Sequence, residues 1–422
     1  MESPIHNPQR AKLSTMIVRK STTIIVITVF SILLFECIYR VTNRLAPNLL
    51  KPAQAQGLDY GDTWRAEGFG PGGSLKENFD APVLDPYGNT VRWKNNAQGF
   101  RNDYDVSAEP RKGVIRLISI GDSFTAGYRL AQNETFSFLL EQYLNNKSDG
   151  NRYEVLISAV DDPTAALDYL NSTGFSFKPQ MVLLGVTLGN DIAQAYVGLT
   201  SGGKYTLNDE TGDITINASQ TLGFAHGLEK LTIPETCFYP SSFLDRRSIT
   251  YHVLKQLWRR SQNGEVMSSW YDKERPKVFD PVHGLGFYLK DPPREVQESY
   301  HHLLRTLRGS KKAAESRGYD LVVVVFPQRF QVQAADWTFT VAEYRLNRDC
   351  FDLTLPNRMI ADFCAQNEIT CIDTTPAMVA ARTASEKSLY LPQGDMHPNA
   401  EGNRVIFEAI RDEVDRQLRK GR

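Results

Sequence analysis

The stretch "VIRLISIGDSFTAG", residues 114–127, decides the fold. An apolar run broken by one arginine stops at Gly121, and a small, polar, turn-prone cluster follows at once: Asp122, Ser123, Thr125 and Gly127. Similar apolar runs recur as "EVLISAV" (154–160), "MVLLGVTLG" (181–189), "LVVVVFP" (321–327) and "ITCIDTT" (369–375). Helix-length segments separate them, among them "TFSFLLEQYLNN" (135–146), "DPTAALDYLNSTG" (162–174), "SYHHLLRTLRGSKKAAESRG" (299–318) and "LPNRMIADFCAQN" (355–367). A last one, "EGNRVIFEAIRDEVDRQL" (401–418), lies near the end of the chain. Strands apolar on both faces and alternating with helices predict an α/β fold with a five-stranded parallel sheet covered on both sides. Ligand chemistry in such sheets lies at the carboxyl ends of strands, and Ser123 stands at one of them.

Two further carboxyl ends carry chemistry. The strand at 181 runs out in Gly189, Asn190 and Asp191, and the loop "GDMHPNAEGN" (394–403) sets Asp395 and His397 just before the last helix. A serine that cleaves esters needs a base within hydrogen-bond reach, a carboxylate that fixes the tautomer of that base, and donors for the oxyanion. His397 fits the base and Asp395 its orienter, since one intervening residue of extended loop lets both side chains lie on one side. Asn190 offers an amide donor, and the Ser123 backbone N–H offers another. Each block has a plainer reading by itself. A Gly-Asp-Ser turn can simply cap a helix, Asn190-Asp191 can be an ordinary Asx turn, and Asn399 can cap the last helix.

Composition excludes several classes. Lys and Arg number 48 against 49 Asp and Glu, so a net charge of −1 leaves no polyelectrolyte footprint for nucleic acid. "SIGDSFTAG" lacks the Gly-Lys-Ser/Thr of a P-loop and the three glycines of a dinucleotide site. No CxxC pair or Cys/His run suggests a metal. His301 and His302 lie on a polar amphipathic segment and read as surface, and His226, His252 and His283 have no nameable partners.

The start of the chain reads differently. Residues 22–39, "TTIIVITVFSILLFECIY", are long and apolar enough for a transmembrane helix. A short basic tail (1–21) precedes them, which predicts an inside tail and an outward remainder. A glutamate directly before Cys37 argues against lipoprotein processing, and the run is long for a cleaved signal, so an uncleaved single-pass anchor is expected. Residues 40–91 read as a Gly/Pro/Ala-rich linker and a small β element, and 92–422 as the main domain.

"GDSFTAG" (121–127), "GND" (189–191) and "DMHPN" (395–399), in that order and at those strand ends, resemble the SGNH (GDSL-type) hydrolase family. The upstream "NNAQGFRND" (95–103) resembles the lead-in of its membrane-anchored bacterial members. The likeness spans roughly residues 92 to 420 with one large insertion. It implies a flavodoxin-like three-layer fold, Ser123 as nucleophile, His397 as base and Asp395 as its partner, with no cofactor and no metal. It also implies an oxyanion hole from the Ser123 N–H, the Asn190 amide and a glycine N–H after the second strand. Here that place reads "ISAVDD", so the Asp162 N–H is the expected third donor, provided its carboxylate turns away from the developing charge. Losing one such donor costs on the order of 3 kcal/mol. The implied activity is hydrolysis of an acyl ester on a carbohydrate or other cell-envelope substrate. Transfer of the acyl group to a sugar is the same machinery with another acceptor, and a non-catalytic glycan-binding domain is the competing expectation. Placement is expected to be periplasmic or extracellular.

The insertion, 195–294, begins at the strand bearing Asn190. "SGGKYTLNDETGDITIN" (201–217) predicts a hairpin, "PSSFLDRRSITYHVLKQLWRRS" (240–261) an amphipathic helix, and "FDPVHGLGFYLKDPPRE" (279–295) an aromatic loop. A lid or substrate platform and a plain surface subdomain both fit. For an outward domain, a short-range Cys364–Cys371 bridge is geometrically conceivable, leaving Cys237 with Cys350; spacing alone does not decide between two disulfides and thiols.

Overall fold

The computed structural model describes residues 30, 31, 34, 75–84, 90–147, 150–199, 204–217, 233–240, 284–385, 387–392 and 395–420. The chain divides into two units, Met1–Leu58 with Pro240–Gly264 and Asp59–Tyr239 with Glu265–Arg422. Apart from residues 30, 31, 34 and Pro240, everything described belongs to the second. Among the described residues no helix is long and apolar enough to cross a membrane. The expected span at 22–39 lies outside them except for Phe30, Ser31 and Leu34, which are helical and exposed. The helix expected at 240–261 lies outside them too, Pro240 excepted.

In the second unit β1 (Asp80–Leu84) and β2 (Thr90–Lys94) form an antiparallel pair. Then β3 (Val114–Gly121) leads to α1 (Ser123–Ala126) and α2 (Phe136–Asn145), β4 (Arg152–Ala159) to α3 (Pro163–Ser172), and β5 (Met181–Thr187) to α4 (Asn190–Leu199). The expected hairpin is present as β6 (Tyr205–Leu207) and β7 (Ile214–Ile216). After α5 (Arg294–Arg317) come β8 (Asp320–Phe326), α6 (Arg329–Val332), α7 (Ala334–Tyr344), α8 (Leu355–Gln366), β9 (Thr370–Asp373), α9 (Thr375–Ser385) and α10 (Ala400–Lys420).

The central sheet is parallel with order β4-β3-β5-β8-β9, a doubly wound arrangement whose order reverses between β3 and β5. Alternation along each strand sorts its side chains onto two cores. Ile118, Ile120, Leu184, Val323 and Val325 meet residues of α3, α4, α5 and α8 on one face. Leu117, Leu183, Val322 and Val324 meet α2, α9 and α10 on the other. A third cluster joins Val83 and Trp93 of the hairpin to Ala126, Tyr128 and Ala159 at the carboxyl rim.

One expectation needs correction, and one open alternative is resolved. The aromatic stretch before α5 is not all loop: Leu285–Tyr288 wind into a 3-10 turn, and Leu285, Phe287, Tyr288 and Leu289 are fully buried, because so much apolar area is more stable against α5 than in water. Of the two conceivable bridges the structure holds Cys237–Cys350, at a Cα separation of 5.7 Å, while the thiols of Cys364 and Cys371 are free and adjacent.

Candidate active site

The sheet delivers its chemistry at the point where strand order reverses. Gly121 ends β3, Asp122 caps α1 by accepting from Phe124 N–H at 2.9 Å, and Ser123 becomes the first helical residue. Glycine is required at the strand end because Thr125 folds back over it. A Cβ on Gly121 would stand 2.4 Å from Thr125 Oγ1, and one on the neighbouring Gly185 2.2 Å. The turn closes at Gly127, whose φ of +72° suits a residue without a Cβ.

His397 comes from the far end of the chain. Its Nε2 lies 2.7 Å from Ser123 Oγ and its Nδ1 2.6 Å from Asp395 Oδ1. The His397 backbone N–H also donates to Asp395 Oδ1, at 2.9 Å, so the single-residue spacing folds the carboxylate back under the ring. Tyr128 and Phe124 pack on the imidazole with ring centroids at 4.5 and 5.1 Å. Burial favours a protonated Asp395, yet His397 and then Arg129 outweigh it and hold the carboxyl below its usual range.

Asn190 begins α4 at the end of β5. Its Nδ2 donates one hydrogen to Asp122 Oδ2 at 3.0 Å, leaving the second amide hydrogen for another acceptor. Its neighbour Asp191 is buried, with Oδ2 accepting from Thr187 N–H at 2.6 Å. Burial, with the carboxylates of Asp122 and Asp162 nearby, pushes the Asp191 pKa well up. Asp162 caps α3: its Oδ1 accepts from Thr164 N–H at 2.6 Å and Ala165 N–H at 3.1 Å. The carboxylate is thus committed to the start of α3, and burial raises its pKa. Ser123, His397 and Asp395 are hydrogen-bonded in series, Asn190 is bonded to Asp122 beside Ser123, and the Asp162 carboxylate is taken up by the start of α3.

Two buried arginines were not picked out as site residues. Arg329, after β8, pairs with Asp336 at 2.7 Å and donates to the carbonyls of Leu391 and Asp395 at 2.8 and 3.2 Å, bracing the loop that carries Asp395. Arg101, in the lead-in, donates to the carbonyls of Ala126, Gly127 and Leu130 just past α1. The lead-in itself is built residue by residue. Asn96 Oδ1 accepts from Phe100 N–H at 2.9 Å, and Gly99 takes φ +77°. Asn102 bonds Val155 O and Ile157 N–H, both at 3.0 Å, along the outer edge of β4. The only sequence signal for Arg101 was the motif "NNAQGFRND"; Arg329 had none.

No family model matches the sequence, and no curated protein does. Solved structures give remote likenesses. One is a putative lipolytic protein of the G-D-S-L family from Desulfitobacterium hafniense, 12% identical, covering 70% of this chain and 98% of its own, with a TM-score of 0.33. A second is the acetyl xylan esterase AlAXEase, 12% identical, covering 71% of this chain and 100% of its own, at 0.37. A third is a two-domain esterase active on acetylated mannans, 9% identical, covering 73% of this chain and 50% of its own, at 0.33. Likenesses this distant do not carry a functional assignment.

Proposed function

We propose that this chain is an SGNH-type serine ester hydrolase with Ser123 as nucleophile. The observation that carries the reading is the unbroken relay from Ser123 Oγ through His397 to Asp395, at 2.7 and 2.6 Å. Ser123 Oγ attacks the acyl carbon while His397 Nε2 takes its proton. The C–O bond to the leaving alcohol then breaks, and that oxygen takes the proton from His397. Water repeats the sequence on the acyl-serine and releases the acid. The tetrahedral oxyanion is held by the Ser123 N–H, which no carbonyl of α1 can reach, by the free hydrogen of Asn190 Nδ2, and by the Asp162 N–H.

The likeness of "NNAQGFRND" to the lead-in of membrane-anchored family members supports an acylated carbohydrate as the substrate class, and the length of the apolar run supports a single-span anchor at 22–39. The Cys237–Cys350 disulfide supports an oxidising compartment on the outward side of that anchor. Fluorophosphonate labelling beside Ser123→Ala and His397→Ala tests the nucleophile. Label on the wild type and on neither variant is expected; an unlabelled, well-folded wild type would sink the reading. Acetate released from acetylated xylan, with and without an oligosaccharide acceptor in excess, then tests the substrate class and water as acceptor.

A further inference from the structure

The Arg101 side chain is wholly buried, and it donates to three backbone carbonyls. A guanidinium in such a place is costly unless its hydrogen bonds are met, so its position is worth explaining. Those carbonyls belong to Ala126, Gly127 and Leu130, the turn that ends the nucleophile helix. The guanidinium lies 3.6 Å from the Trp93 ring centroid, so the hairpin strand β2 forms the floor beneath it. Trp93 is itself fixed, its Nε1 donating to Asn95 Oδ1 at 2.8 Å. The backbone is tied to the sheet as well, Arg101 N–H donating to Ile157 O at 2.8 Å.

The turn is shaped around the arginine. A Cβ on Gly127 would stand 3.1 Å from Arg101 Nη1 and 2.4 Å from Thr135 Cγ2, so only glycine leaves room. Between the gripped carbonyls stands Tyr128, the residue packed on the His397 ring. Tyr128 N–H donates to Ser123 O at 3.0 Å, which couples the turn directly to the nucleophile's own backbone.

We propose that Arg101 is a positioning residue for the Ser123–His397 pair: its guanidinium fixes the 126–130 turn, and through Tyr128 that turn sets the imidazole against the serine. The segment ahead of the sheet, hairpin and lead-in together, is then part of the catalytic apparatus. The role rests on the hydrolase reading above. Arg101 touches no reacting atom, so its loss acts on the rate of serine attack and leaves substrate binding alone. Displacements of about 1 Å in such a pair cost on the order of a hundredfold.

The test is titration of Arg101→Lys and Arg101→Ala with a fluorophosphonate, reading both the fraction of sites that label and the labelling rate per site, beside kcat and KM for a small ester. Lysine keeps the charge but cannot span three carbonyls. Full labelling at a per-site rate reduced tenfold or more, with kcat reduced in parallel and KM unchanged, is the expected result. Methylguanidinium added to Arg101→Ala should recover part of the rate. Three outcomes overturn the proposal: wild-type per-site rates in both variants, a reduced labelled fraction whose survivors react at the wild-type rate, or no labelled sites in either variant while the wild type labels. An unlabelled wild type overturns the hydrolase reading and this proposal with it, and is distinguishable from all three.

Discussion

Asn190 and Asp122, 68 positions apart in the chain, are joined by a 3.0 Å hydrogen bond across the ends of the adjoining strands β5 and β3. The bond fixes the amide plane, so the remaining hydrogen has one direction. Asn190→Ala should lower kcat on the order of a hundredfold or more with KM little changed, the usual cost of one oxyanion donor. Asp122→Ala removes the anchor and the α1 cap together. It should match that loss in kcat and also cost about 1 kcal/mol in stability. Steady-state kinetics beside urea melts check both; an Asp122→Ala variant with wild-type kcat would contradict the anchoring role.

Asp395 has a second, measurable consequence. Its folded pKa lies below the ordinary 3.8, so its ionisation stabilises the fold above the unfolded value. That stability is lost as pH falls through the folded value. Asp395→Asn has no such titration, so the gap in melting temperature between wild type and variant should be widest near neutrality and close at acid pH. The same variant should lose kcat on the order of a thousandfold or more, since the amide leaves the imidazole in the wrong tautomer. A gap that stays constant down to strongly acid pH would contradict the lowered Asp395 pKa.

Asp191 carries the opposite sign. Its raised folded pKa means the buried, protonated carboxyl contributes stability present below the unfolded pKa and lost as pH rises through the folded one. Asparagine keeps the oxygen that accepts from Thr187 N–H and has no proton to lose. The Asp191→Asn variant should therefore gain on the wild type steadily as pH is raised from about 4, read as the difference between their melting curves. A difference independent of pH would show that Asp191 is not the titrating group.

The disulfide closes a loop of 113 residues. Cys350→Ser should cost about 2 to 5 kcal/mol. A reductant should do the same to the wild type and nothing further to the variant. Identical urea melts with and without reductant would mean that Cys237 and Cys350 are not bridged.

The sheet was legible because five apolar runs spaced by helical segments leave few other solutions, and Ser123, Asn190, Asp395 and His397 were legible because each follows a strand end or precedes a helix. Asp162 was half legible: its position followed from β4, but not that its carboxylate would cap α3. Leu285 to Leu289 were misread as loop because a short turn of buried aromatics has neither helical nor strand period. Arg329 left no pattern to find and Arg101 only the motif around it, since most of their hydrogen-bond partners are carbonyls, which every residue possesses and no sequence marks.

One consequence of the geometry concerns time. The serine and its base are 274 residues apart, and the base lies in the loop that leads into the last helix. Contacts so distant in sequence form late, because the loop they close is long. A chain emerging from its N-terminal side therefore holds an inert serine until α10 has docked on the sheet. On refolding, esterase activity should return with the slowest phase, after the far-ultraviolet signal of the helices has already recovered.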